Sequence, residues 1–260
     1  MQPIFINTRP KTYHKPLDKV ANLATVHALP LLSLQTKPLT PQETIAQSWL
    51  LACAYRVLIV VSVTAAKIAL ASLSASERHR LATLSKEKLA VVAVGEATKA
   101  YLRGQGLNVV IPKIASNEGM MAMPLLQDLT TLDKVLFWRG VGGRTLLVDY
   151  LRNKGITVDA VAWYERTCPQ DLLVNSAQLI ARYDFRQVLG LMLISSGTAW
   201  KHWQQVTKAL DYDSRHLTYL TLGARLTALV APHARTFRLD ALDDETLFLS
   251  IDALLNHYDR

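Results

Sequence analysis

Cysteine is nearly absent. Cys53 and Cys168 are the two in 260 residues, and they sit in no disulfide, zinc or redox spacing. Long apolar runs are missing as well. VLIVV (57–61) and VLGLMLI (188–194) fall far short of the roughly 20 residues that cross a bilayer as a helix. The start of the chain lacks a basic stretch and an apolar core, since Pro3 and Asn7-Thr8-Arg9-Pro10 interrupt it, so no secretory leader is expected. No phosphate loop occurs, and GVGGR (140–144) lacks the full G-x-G-x-x-G spacing of a dinucleotide fingerprint. The seven histidines form no i,i+4 ligand pair, so no metal site is expected. Aromatics do not alternate with basic residues as they do in single-strand nucleic-acid binders. These absences point to a cytoplasmic protein without a membrane segment, a nucleic-acid partner or a nucleotide site.

What is present is charge of one sign and apolar order. Basic residues outnumber acidic ones 29 to 21, a net +8, which favours anionic partners. The densest stretch, ERHRLATLSKEK (77–88), carries Glu77 and Glu87 too and reads as a solvated helix face. Short runs rich in Val, Ile and Leu predict buried strands at 4–9, 57–62, 89–94, 108–112, 134–139, 188–195, 216–222 and 235–239. Helical spacing separates them, as at Leu146, Leu147, Tyr150 and Leu151, so the fold class is α/β with parallel sheets flanked by helices. Met120, Met121 and Met123 with Leu125 and Leu126 read as core packing.

Much of this pattern occurs twice, about 130 residues apart. IFINTRP (4–10) corresponds to KVLFWRG (134–140), VLIVVSVTAAK (57–67) to LGLMLISSGTAW (189–200), and VVAVGEATKAYL (91–102) to YLTLGARLTALV (219–230). Repetition of this kind predicts two similar lobes with a cleft between them. SLQTKPLT (33–40) and VAWYERTCP (161–169) break the alternation, end at proline and begin no obvious helix. They read as a pair of extended connectors. Residues 1–36 with 169–260 then form one discontinuous domain and 41–162 an inserted one; a tandem split near residue 130 is the competing topology. Gly95, Gly140 and Gly223 each follow a strand and are expected to open a helix.

The ordered set of NTRP (7–10), AVGEAT (93–98), LFWRGVGGR (136–144), the stretch 146–169, ISSGTAW (194–200) and TLGARLTAL (221–229) resembles the uroporphyrinogen-III synthase family. The resemblance runs from end to end of the chain. It implies closure of linear hydroxymethylbilane to uroporphyrinogen III with inversion of ring D, in haem biosynthesis, by a monomer that needs no cofactor. It also implies transient contact with the preceding enzyme of the pathway. The substrate carries acetate and propionate arms on every ring, which suits a basic protein. Departures from the family pattern are Val63 between Ser62 and Thr64, Leu226 at the place matching Thr98, and no glycine after Arg9. The alternative is a two-lobed protein that binds a small polyanion without chemistry.

In that reaction the pyrrole nitrogen expels the hydroxyl, the azafulvene is attacked to give a spiro intermediate, and this fragments and recloses. The linear molecule also closes unaided to the uninverted isomer, so the enzyme works chiefly by orientation. Tyr164, in the second connector, is the candidate proton donor to the departing hydroxyl; otherwise it is a packing tyrosine with its hydroxyl in water. The strand-to-helix turns at Ser62–Thr64, Gly95–Thr98, Gly140–Arg144, Ser195–Ser196–Gly197–Thr198 and Gly223 are candidate carboxylate sites, because helix N-termini offer unpaired N–H groups. Arg9, Arg139 and Arg144 are candidates for pairing with carboxylates through the guanidinium fork.

Overall fold

The computed structural model describes residues 2–11, 17–142 and 145–258. Eleven strands occur among them: β1 (Ile4–Asn7), β2 (Thr25–Ala28), β3 (Ser33–Thr36), β4 (Val57–Val60), β5 (Ala90–Ala93), β6 (Val109–Val110), β7 (Lys134–Gly140), β8 (Thr157–Thr167), β9 (Gly190–Ile194), β10 (Leu217–Leu222) and β11 (Thr236–Leu239). They form a five-stranded sheet in the order β11-β10-β9-β1-β2 and a six-stranded sheet in the order β3-β8-β7-β4-β5-β6. The chain divides into two compact units, residues 1–34 with 167–260, and residues 35–166.

In the first unit every neighbouring pair of strands is parallel. Alternate side chains leave opposite faces of a strand, and both faces are covered. Ile4, Ile6, Met192 and Tyr219 pack with Trp200 and Trp203, while Phe5, Leu191, Leu193 and Leu220 pack with Leu247 and Ile251. Double burial explains why these strands read as continuous apolar runs. Numbered along this unit, the strands lie in space as 2-1-3-4-5, and the order reverses between β1 and β9.

In the second unit β8, β7, β4, β5 and β6 are parallel. Val57, Ile59, Val135 and Phe137 pack on Leu147, Val148 and Leu151; Leu58, Val60, Leu136 and Trp138, at the alternate positions, are buried too. The reversal here falls between β4 and β7.

The two stretches expected as connectors hold strands, β3 and β8, and β8 begins earlier than expected, at Thr157. The backbone N–H of Lys37 donates to the Trp163 carbonyl at 3.1 Å. Helices follow closely on both stretches, at Pro41–Leu51 and Leu172–Arg182. The first is started by a capping box in which Thr40 accepts from the Glu43 N–H and the Glu43 carboxylate accepts from the Thr40 N–H. Reciprocal caps of this kind fix a helix start. β2 was not foreseen: TVHA is a short, half-exposed edge strand without an apolar run to mark it.

The repeat seen in the sequence takes an unforeseen form in space. β1 corresponds to β7, β4 to β9 and β5 to β10, so the order β11-β10-β9-β1-β2 matches β6-β5-β4-β7-β8 position by position. Each unit combines strands from both repeats, and the two units are circular permutations of one another.

Candidate active site

Because β8, β7, β4, β5 and β6 are parallel, their carboxyl ends gather on one rim, and an open sheet receives ligands where its strand order reverses. β4 and β7 meet at that reversal. Past β4, Ser62 takes an extended conformation and caps the helix Val63–Ala71, its Oγ accepting from the Ala65 N–H at 3.2 Å. Past β5, Gly95 caps the helix Glu96–Gly104 without a side-chain bond. β7 ends at Gly140; the next helix begins only at Leu146. Gly140 therefore does not open a helix, and the left-handed turn residue is Gly142, at φ +70°. Arg144 lies outside the described residues.

Tyr164 lies in β8 opposite Gly140, at an irregularity in the β7–β8 register between Arg139 and Gly140. The Val141 N–H donates to the Tyr164 carbonyl at 2.8 Å. The phenol ring lies against Gly140, where a Cβ would stand 2.6 Å from Tyr164 Cζ. A side chain at 140 is therefore incompatible with this ring position. Tyr164 is 2 % exposed, with Oη 3.2 Å from Ser62 Oγ and 3.4 Å from Arg166 Nη2. The Arg166 guanidinium carbon stands 5.5 Å from the ring centroid, within cation–π range.

A cavity of about 260 Å³ adjoins these groups, with Arg139, Gly140, Tyr164 and Arg166 on its polar side and Phe137 and Leu147 among its apolar walls. Burial pushes the Arg139 guanidinium pKa down, and the neighbouring Tyr164 partly offsets this. A half-buried guanidinium gains most from an anion that replaces its lost hydration. The cavity is smaller than the ~300 Å³ at which clefts begin to enclose drug-sized ligands; it suits one ring or arm of a larger molecule.

The first unit carries a rim of its own. Thr8 donates through Oγ1 to the Leu193 carbonyl. Arg9 is 7 % exposed; its Nε donates to Asn7 Oδ1 at 3.0 Å and its Nη1 to the Leu242 carbonyl at 3.1 Å. Burial lowers its pKa while Asp244 raises it. Ser196 caps the helix Gly197–Ala209, accepting from the Ala199 N–H at 3.1 Å, with half-buried Ser195 before it and exposed Thr198 in the first turn. Gly223, at φ +74°, starts the helix Gly223–Val230, and Leu226 is buried beneath it.

Of the expected residues, the structure brings Ser62, Arg139, Gly140 and Tyr164 together. Gly95 and Thr64 lie in neighbouring turns of the same unit, whereas Thr98 is 6 % exposed and turned into its helix packing. Arg9, Ser195, Ser196, Gly197, Thr198 and Gly223 belong to the other unit. Arg166 was missed. Its signal was spacing: two residues after Tyr164 in a strand, it shares that residue's face. Among the described residues no three His, Cys, Asp or Glu side chains are grouped to hold a metal ion, and no helix is long and apolar enough to cross a membrane.

The class is thus a doubly wound α/β protein of two units, each with turns suited to anions at its strand ends. A model of the family described as "Uroporphyrinogen-III synthase HemD" matches residues 20–233, well over half of the chain. This chain belongs to the uroporphyrinogen-III synthase family. Its reaction is the closure of hydroxymethylbilane to uroporphyrinogen III with inversion of ring D, a step of haem biosynthesis. Two solved structures share the fold. A mutant uroporphyrinogen III synthase from the extremely thermophilic bacterium Thermus thermophilus has 14 % identity and a TM-score of 0.63, with 98 % of this chain and 99 % of that one covered. The uroporphyrinogen-III synthetase of Helicobacter pylori has 17 % identity and a TM-score of 0.63, with 98 % and 100 % covered. The family assignment decides between the enzyme and the anion-binding alternative in favour of the enzyme.

Proposed function

We propose that Tyr164 is the proton donor of this cyclisation and that the strand-end turns hold the substrate's carboxylate arms. The observation that carries the reading is the placement of Tyr164 Oη at the β4–β7 reversal, beside a cavity that also holds the Arg139 and Arg166 guanidinium groups. Breaking the bond to a hydroxyl needs a proton delivered as the bond fails, and a fixed phenol within reach supplies it. Arg139 takes an arm of the reacting ring. Thr64, Gly95 and Gly140 add hydroxyl or backbone N–H groups around it, whereas Thr98 is buried, with its N–H bonded to the Gly95 carbonyl, and takes no part. Arg9, Ser195, Ser196, Gly197, Thr198 and Gly223 form the corresponding anion site of the other unit, and Arg144 is a further candidate for pairing with a carboxylate.

Orientation does the larger part of the work. The uncatalysed closure is fast enough to compete, so holding the chain against direct closure decides which isomer forms. The reading includes a monomer that needs no cofactor, acting in the cytoplasm. Two free thiols, Cys53 and Cys168, fit such a reducing compartment. It also includes transient contact with the preceding enzyme, which supplies the unstable linear substrate. The test is direct: generate hydroxymethylbilane, add the protein, oxidise the products and resolve the porphyrin isomers. Isomer III is expected; isomer I alone overturns the reading.

A further inference from the structure

Among the described residues, Ser62 and Arg166 each place a hydrogen-bonding group within reach of the Tyr164 oxygen, and the guanidinium can only donate. Ser62 Oγ accepts from the Ala65 N–H at 3.2 Å as it caps its helix. A serine hydroxyl engaged as an acceptor still has one hydrogen to give, and Tyr164 Oη lies 3.2 Å away. Arg166 Nη2 lies 3.4 Å from the same oxygen, and a guanidinium has donors and no acceptor. A phenolic oxygen offers two lone pairs and one hydrogen. The Ser62–Tyr164 bond can run either way; in the arrangement where Ser62 donates, as Arg166 must, both lone pairs are occupied and the hydrogen is left for whatever enters the cavity.

We infer that Ser62 and Arg166 are positioning residues that set Tyr164 as a donor and hold its charge after the proton has gone. This rests on the reading of Tyr164 as the proton source. Ser62, expected to bind substrate, acts through the tyrosine instead, and Arg166 enters the machinery for the first time. As the C–O bond breaks, its electron pair stays with oxygen, which takes the Tyr164 proton and leaves as water. The pyrrole nitrogen's lone pair forms the C=N bond of an azafulvenium cation. The phenolate left behind accepts from the Ser62 hydroxyl and the Arg166 guanidinium, a charge-assisted pair of bonds. When the macrocycle closes, the unsubstituted α-carbon of ring D forms the last C–C bond and loses its hydrogen as a proton, and that proton restores Tyr164.

A merely structural pair would hold the ring in place and change substrate binding or folding. A donor pair acts on the chemical step. The variants are Ser62→Gly, Arg166→Met and Arg166→Lys, each alone and combined with Tyr164→Phe. Ser62→Gly removes the hydroxyl while costing the helix start only about a few tenths of a kcal/mol. Circular dichroism fixes the folded fraction of each. With hydroxymethylbilane as substrate and isomer III as the readout, Ser62→Gly and Arg166→Met are expected to lower kcat at least about tenfold, part of the ~10²–10⁴ due to a general acid. KM stays within about threefold, as for an interaction made in the transition state. Arg166→Lys, which keeps a cationic donor, recovers part of the loss. On the Tyr164→Phe background neither substitution lowers kcat further. Wild-type kcat in both single variants, with Tyr164→Phe slow, overturns the inference alone; so do losses that add in full to that of Tyr164→Phe. Wild-type kcat in Tyr164→Phe itself overturns the proton-donor reading, and the inference falls with it.

Discussion

Gly140 leaves the space that the Tyr164 ring fills: a Cβ on the glycine would stand 2.6 Å from Cζ of the ring and 2.8 Å from Cε2. Gly140→Ala is therefore expected to push the phenol off Ser62. Overpacking of a filled site costs about 1–3 kcal/mol. The expected result is a lower thermal midpoint and a loss of isomer III formation larger than that midpoint shift explains. Activity at the wild-type level in a folded Gly140→Ala protein would count against a fixed tyrosine.

Tyr164→Phe removes one oxygen and keeps the ring on Gly140. Its thermal midpoint should stay near that of the wild type, while kcat for isomer III falls by about 10²–10⁴. The spontaneous isomer I then takes a larger share of product, which chromatography reads directly.

Arg139→Ala removes a half-buried cation from the cavity. KM is expected to rise with little change in kcat, since an arm held equally in substrate and transition state contributes uniform binding. Salt screens charge pairs, so the gap between wild type and variant is widest at low ionic strength and narrows as salt is added. Initial-rate measurements over a salt series check this.

Glu43 makes the second unit sensitive to acid. Burial opposes its ionisation, but hydrogen bonds from Lys37, the Thr40 and Ala162 amides and the Thr40 hydroxyl outweigh this and hold its pKa below the ordinary 4.5. A carboxyl whose folded pKa is depressed stabilises fully above its unfolded value, and the contribution is lost as pH falls through the folded one. Glu43→Gln should cost about 1.5–3 kcal/mol at neutral pH, the range for hydrogen bonds to a charged group. It should also flatten the loss of stability below pH 4.5. Denaturant unfolding at pH 7 and at pH 4 separates the two effects.

Unit boundaries make a further prediction. A fragment of residues 35–166 contains a whole compact unit and is expected to unfold cooperatively alone. A fragment of residues 1–130 contains β4, β5 and β6 without β7 and β8, and β1 and β2 without β9. It should lack a cooperative transition by circular dichroism and be cut readily by protease.

Strand content was legible wherever both faces of a strand are buried, as at Phe5, Ile59, Phe137 and Met192, because double burial leaves an unbroken apolar run. It failed at β8, where Asp159 interrupts the run. Asp159 accepts from the Tyr55 hydroxyl at 2.8 Å, a pairing across 104 positions of chain that no local pattern displays. The site was legible in its types of residue and not in its arrangement. Tyr164 stood out through the family resemblance, yet its contact with Ser62 spans 102 positions, and its seat on Gly140 depends on a register irregularity. Thr98 looked like a free hydroxyl because spacing does not tell which side of a short helix packs inward.

β1 pairs with β9, so that Ile4 faces Gly190, and everything in the second unit is synthesised between them. On the ribosome the inserted unit has all of its strands long before the outer one can close. The apolar segment Ile4–Phe5–Ile6 meanwhile has β2 to pair with on one side and waits for β9 on the other. Contacts so distant in sequence form slowly, so the outer unit is where a nascent chain is most exposed to misassembly and where a chaperone would have the most to protect.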